Sequence, residues 1–175
     1  SEGESFRWDA TTGMQVLGHL PGGTDNSLAY AVSDDGSVIA GHSAASGVAG
    51  IGIAAYRWDA AGGIQPITSF SDGMGQARVS SSAAITADGS KIFGSYDTEI
   101  GGSFARRPFV WTAGVGAQDL QDVGPEVTDF SLTTANPDGT IALGYGPVAE
   151  AGGFFRILRW EEGVGVSVLD PDDFY

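Results

Sequence analysis

Four tryptophans, Trp8, Trp58, Trp111 and Trp160, fall 50, 53 and 49 residues apart. Each is followed five residues on by a glycine (Gly13, Gly63, Gly116, Gly165) and nine on by an aliphatic residue (Leu17, Ile67, Leu120, Leu169). A second marker lies between the tryptophans, an Asp-Gly pair at Asp35-Gly36, Asp88-Gly89 and Asp138-Gly139. The Asp residues precede the next Trp by 23, 23 and 22 residues. One unit recurring at about 50 residues cannot bury its apolar face alone. Neighbouring units must stack, so this period demands a repeat architecture.

The unit reads as four short strands. Leu28 to Ser33 is a small-residue strand, and Asp34 to Ser37 is a turn whose Gly36 can take the left-handed conformation of a tight hairpin. Val38 to Gly41 returns, Ala54 to Trp58 is a third strand, and Ile64 to Ile67 is a fourth. Pro66 cannot donate to a ladder, which assigns the fourth strand to an outer edge. The same pieces recur at Ser81–Thr86, Lys91–Gly94, Pro108–Trp111 and Ala117–Leu120. They recur again at Phe130–Ala135, Ile141–Gly144, Ile157–Trp160 and Val166–Leu169. No stretch carries helical periodicity, and 28 glycines fit many tight turns. Four antiparallel strands at this period describe a β-propeller blade. The fold class is therefore all-β, with about three and a half blades. Residues 1–20 form a half blade with only third and fourth strands; 21–70, 71–121 and 122–175 form complete blades. Small first-strand residues (Ala29, Ala31, Ser81 to Ala84, Ser131, Thr133, Thr134) suit the crowded centre. The third-strand aromatics are assigned to the core between blades.

The stretch Leu17-Gly18-His19-Leu20-Pro21-Gly22-Gly23, followed by Ser27, Ala29, Ala31-Val32-Ser33, Asp35-Gly36, Val38 and Gly41, resembles the HAF repeat of bacterial extracellular proteins. Phe6-Arg7-Trp8 and Tyr56-Arg57-Trp58 match its aromatic-Arg-Trp end. Asn136-Pro137-Asp138-Gly139-Thr140 is similar to the Pro-Asp-Gly turn of TolB-type propeller repeats. The resemblance covers the first unit well and the later ones loosely. Val110 stands where the Arg is expected, and Leu-Pro-Gly-Gly does not recur. The resemblance implies an extracellular, cell-surface or periplasmic location and a propeller-like fold, but no activity.

Net charge is −14, from 22 acids against 8 bases. Such a chain repels nucleic acid and anionic membrane surfaces. No apolar run approaches the roughly 20 residues of a spanning helix. There is no Cys, which excludes disulfides and thiolate metal sites. The start Ser-Glu-Gly-Glu has no signal-peptide character and reads as a processed or truncated end.

No catalytic, cofactor or metal residue is assigned. His19 and His42 lack a second ligand at metal spacing, and no nucleophile elbow, P-loop or dinucleotide fingerprint appears. The Asp-Gly carboxylates, and the tail Asp170-Pro171-Asp172-Asp173, raise Ca²⁺ as the one cofactor to weigh. Turn chemistry explains the former, since Asp bonds the backbone two residues on. Arg106-Arg107 reads as part of a connecting loop, either paired with an acid on a neighbour or, as the favoured reading, facing solvent. Three functions follow: a secreted structural or interaction module binding protein, glycan or its own copies; a glycan-active hydrolase or lyase; or a cation or small-ligand binder. The enzyme would carry its site on the connections 21–26, 43–52, 71–79, 97–106 and 146–153. Three and a half blades expose apolar ends, so the expected partner is a second copy or blades from another chain or segment.

Overall fold

The structure, a computed structural model, describes residues 3–24, 26–45, 52–67, 79–100, 103–120, 127, 129–149, 152 and 154–169. The described residues form fourteen strands. β1 (Ser5–Asp9) and β2 (Gly13–Gly18) pair as an isolated hairpin, the half blade. Three antiparallel four-stranded blades follow. They are β3 (Ser27–Val32), β4 (Val38–Ala44), β5 (Ile53–Asp59) and β6 (Gly63–Pro66); β7 (Val79–Ile85), β8 (Lys91–Ile100), β9 (Ser103–Thr112) and β10 (Gly116–Asp119); and β11 (Ser131–Ala135), β12 (Ile141–Val148), β13 (Phe154–Glu161) and β14 (Gly165–Leu169). A single parallel bridge, Ile53 to Val79, joins the first two complete blades edge to edge. The propeller-blade reading holds strand for strand.

The repeat fixes local geometry as well as order. Each first strand slips register at the same place, between Ala29 and Ala31, Ser82 and Ala84, and Leu132 and Thr134. An extra residue there bends the strand, as a β-bulge does. The second strand places Gly41, Gly94 and Gly144 opposite Tyr56, Phe109 and Leu158 of the third. A Cβ on Gly94 would strike the Ser81 carbonyl and the Phe109 ring, so the bare backbone is what admits the ring.

The core lies between blades. Leu17 and Leu20 of the half blade pack with Ile39, Ala54 and Tyr56 of the next. Ala40, Ala55 and Ile67 then meet Ile92, Tyr96 and Phe109. Phe93 and Leu120 meet Leu132 and Ala142. The aliphatic residues nine after the first three tryptophans, Leu17, Ile67 and Leu120, are thus buried in these joints.

Two expectations need correction. The segment around Arg106-Arg107 is not a solvent loop. β8 and β9 extend as one long hairpin, and both arginines of β9 are paired to neighbouring strands: Arg106 with Asp97 of β8 (Nε to Oδ1, 2.6 Å) and Arg107 with Asp119 of β10 (3.4 Å). The connection expected over 97–106 is therefore mostly ladder, and β12 likewise runs on to Val148. Strand pairing prevailed because cross-strand ion pairs neutralise the charges that made the segment look exposed. The second correction concerns Trp8, which is 66% exposed, whereas Trp58, Trp111 and Trp160 are half-buried. No blade precedes Trp8 among the described residues.

Candidate functional site

At the first two joints one blade grips the next through a cation–π contact. The Arg7 guanidinium lies over the Trp58 ring and that of Arg57 over Trp111, both 5.5 Å from the ring centroid. Arg7 is held in place by Asp9 (2.6 Å), and Arg57 is paired to Asp59. Val110 breaks the series at Trp160. There the Phe93 ring approaches Trp160 at 5.9 Å, and Lys91 reaches Glu162 of the last blade at 2.9 Å. The turns are stitched in the same direction: Asp34 N–H donates to the Ala87 carbonyl, and Ala87 N–H to Pro137.

The Asp-Gly turns are closed by hydrogen bonds to one carboxylate oxygen of each Asp. Asp35 Oδ1 accepts from Ser37 N–H and Ser33 Oγ; Asp88 Oδ1 accepts from the N–H and Oγ of Ser90 and from Thr86 Oγ1. Asp138 accepts from Thr140 in the same way. These donors hold the Asp35 and Asp88 carboxyls down to about 2. The groups serve the turns. Among the described residues no three His, Asp or Glu side chains converge as a metal site would require. The acidic tail, and most of the connections 43–52 and 71–79, lie outside the described residues.

His42 is not solitary. Its Nδ1 lies 3.2 Å from Ser81 Oγ on the neighbouring blade, and its ring meets Tyr30 at 5.2 Å. Burial lowers its pKa, so the imidazole is neutral at pH 7. A neutral His beside a Ser hydroxyl is the first half of an activated nucleophile. Among the described residues, no carboxylate is seen bonded to the other ring nitrogen. The two residues are 39 apart in different blades, and no spacing in the sequence announced the pair.

A groove of about 450 Å³ lies between β1 and β3. Phe6, Trp8, Tyr30 and Val32 line it, with Gly36 and Ile39 at its base. Phe6, Trp8, Tyr30 and Val32 are each more than half exposed. Met14 and Val16 extend the apolar surface along β2, and Phe154, Phe155 and Ile157 are exposed at the far end. Scattered apolar side chains are ordinary on a surface, but contiguous ones mark contact sites. Arg7, Asp9 and Asp35 also line the groove, the first two paired with each other, so the arrangement can dock apolar or strand-forming matter beside a charged rim.

This architecture decides the comparison with solved structures. The chain has a TolB-like propeller fold. It is similar to TolB from Acinetobacter baumannii with a TM-score of 0.62 and 18% identity, over 96% of this chain and 38% of that one. The putative TolB from Agrobacterium tumefaciens gives 0.62 and 18%, over 97% of this chain and 56% of that one. The chain therefore spans well under two thirds of the length of either TolB structure. No family model matches the sequence, and no curated protein matches it. The TolB likeness carries the propeller fold and does not extend to the HAF repeat.

Proposed function

We propose that this chain is a protein-interaction module: a blade array whose open end engages another polypeptide, in a secreted or surface-attached setting, extracellular or periplasmic. The carrying observation is the groove between β1 and β3, where three large apolar side chains and Tyr30 stand exposed beside a β1 edge that pairs with no other described strand. Binding there would bury surface that otherwise favours aggregation. The TolB-like fold and the charge of −14 fit this reading. The test is native mass measurement of the complex isolated from its source. A defined assembly containing a second polypeptide is expected. A stable lone monomer that turns over polysaccharide substrates would overturn the reading.

A further inference from the structure

The Arg-on-Trp clamp is built at two joints and replaced at the third. Gln15, Gln65 and Gln118 hold the same place in successive units, opposite Arg7, Arg57 and Val110 on the third strand. The acid two residues after each arginine, Asp9 or Asp59, gives way to Thr112. Guanidinium and counter-ion are lost together, while Trp160, the ring they would serve, is retained. Phe93 stands opposite Val110, where Ala40 stands opposite Arg57, and packs on Trp160 from within the joint, ring centroids 5.9 Å apart. On the outer side a pocket of about 260 Å³ remains, with Val110, Thr112, Gln118 and Trp160 in its wall.

Charge absent from the other joints surrounds this pocket. Asp119 stands opposite Phe109, where Val16 and Pro66 stand opposite Phe6 and Tyr56. Glu162 follows Trp160 by two residues, where Ala60 and Ala113 follow Trp58 and Trp111. Lys91 takes the place of Val38. The lining therefore holds two carboxylates against one ammonium. Asp119, its side chain 2% exposed, is engaged by Arg107 at 3.4 Å. Glu162 accepts from Lys91 at 2.9 Å and is more than half exposed. One hydrogen bond leaves a carboxylate further lone pairs. The volume falls below the roughly 300–1,000 Å³ of sites for drug-sized ligands, so it suits a single side-chain headgroup.

Resting on the reading that this chain engages another polypeptide, we propose that the pocket receives an arginine side chain of that partner. Its guanidinium lies on Trp160 as those of Arg7 and Arg57 lie on Trp58 and Trp111. Glu162 and the side-chain carbonyl of Gln118, both exposed, accept its N–H groups. Arginine fits better than lysine, because a planar guanidinium stacks on indole and still donates within its own plane. The net charge of −14 draws a basic segment toward the site.

The probe is acetyl-Gly-Arg-Gly-amide, titrated into the full chain and followed by NMR at the indole N–H resonances, with Trp160 assigned from Trp160→Phe. One headgroup should bind with a dissociation constant of about 1–10 mM. The Trp160 resonance should move while those of Trp58 and Trp111 stay in place. The citrulline peptide, neutral and of the same shape, should bind at least ~5-fold more weakly, and the lysine peptide at least ~3-fold. Val110→Arg should supply the guanidinium from within and abolish binding. Glu162→Gln, at an exposed position, should weaken it about 2- to 5-fold with the fold unchanged by circular dichroism. Four results would overturn the proposal: a Trp160 resonance unmoved above that concentration range; equal binding of the citrulline peptide; binding undiminished in both variants; or a response to methyl glucoside in place of the peptide, which would make the pocket a sugar site. If the peptide fails yet the native complex contains a second polypeptide, the pocket proposal falls and the interaction reading stands.

Discussion

The Arg57 guanidinium lies 5.5 Å from the centroid of the Trp111 ring and joins two consecutive blades through one side chain. Arg7 does the same to Trp58. The repeated Phe/Tyr-Arg-Trp triplet is thus a directional coupling: the Trp faces the preceding blade and the Arg the following one.

Arg57→Ala should destabilise the chain by about 1–2 kcal/mol, through the cation–π contact and the stem packing. Arg57→Lys should recover only part, because an ammonium cannot lie flat on the indole while bonding Asp59. Urea denaturation followed by tryptophan fluorescence checks both. Equal stability of Arg57→Ala and wild type would remove the coupling.

Gly36 and Gly89 share a φ of +69° but differ in surroundings. Alanine at either costs about 1–2 kcal/mol for the left-handed conformation. At Gly89 the new methyl also meets Val38 Cγ2 at 2.8 Å, which adds about 1–3 kcal/mol. Gly89→Ala should therefore unfold at lower urea concentration than Gly36→Ala, and equal midpoints would remove the contact with Val38 as a source of stability.

The Trp period and the Asp-Gly turns made the blades legible, because propeller repetition imposes the same residue at the same structural place. Strand ends were less legible. Asp97 and Arg106 look like loop residues one by one, and only their cross-strand meeting explains why β8 and β9 run so far. The open groove was legible only as a count, a half blade without inner strands. Its lining draws Trp8 and Val32 from different elements, and nothing in the local sequence marks them as neighbours. The His42–Ser81 contact was invisible for the same reason.

Tyr56 is fully buried, and its hydroxyl donates to Ser5 Oγ at 2.8 Å, tying the half blade to the first complete one. Ser5 N–H in turn donates to Ser27 Oγ, which donates to the Gly18 carbonyl. Tyr56→Phe removes the link and leaves Ser5 short of a donor, at a cost of about 0.5–1.5 kcal/mol. The loss should be local. Amide exchange should quicken several-fold in β1 and β2 and stay unchanged in β11–β14. A uniform change across all strands would mean the half blade is not a separate unit.

Acid should undo the turns before it undoes the core. Asp35 and Asp88 are held at about 2, against an ordinary 3.8, chiefly by Ser33 Oγ at the first and Ser90 N–H at the second. Asp59 is lowered chiefly by Gly62 N–H, and Asp138 by the Thr140 hydroxyl. Carboxyls depressed on folding stabilise the chain fully above their unfolded value. They lose that contribution as pH falls from 3.8 through about 2. His42, lowered by burial, begins the decline earlier, because unfolding frees it to take a proton once pH drops below 6.5. The melting temperature should therefore be level near neutrality, sag below pH 6.5, and fall steeply below pH 4. Asp88→Asn keeps an acceptor in the turn but removes the charge. It should melt below wild type at pH 7, show a shallower acid limb, and converge with wild type near pH 2. Circular-dichroism melts from pH 7 to 2 test this, and an acid limb identical in the two proteins would show that the turn carboxylates do not govern acid stability.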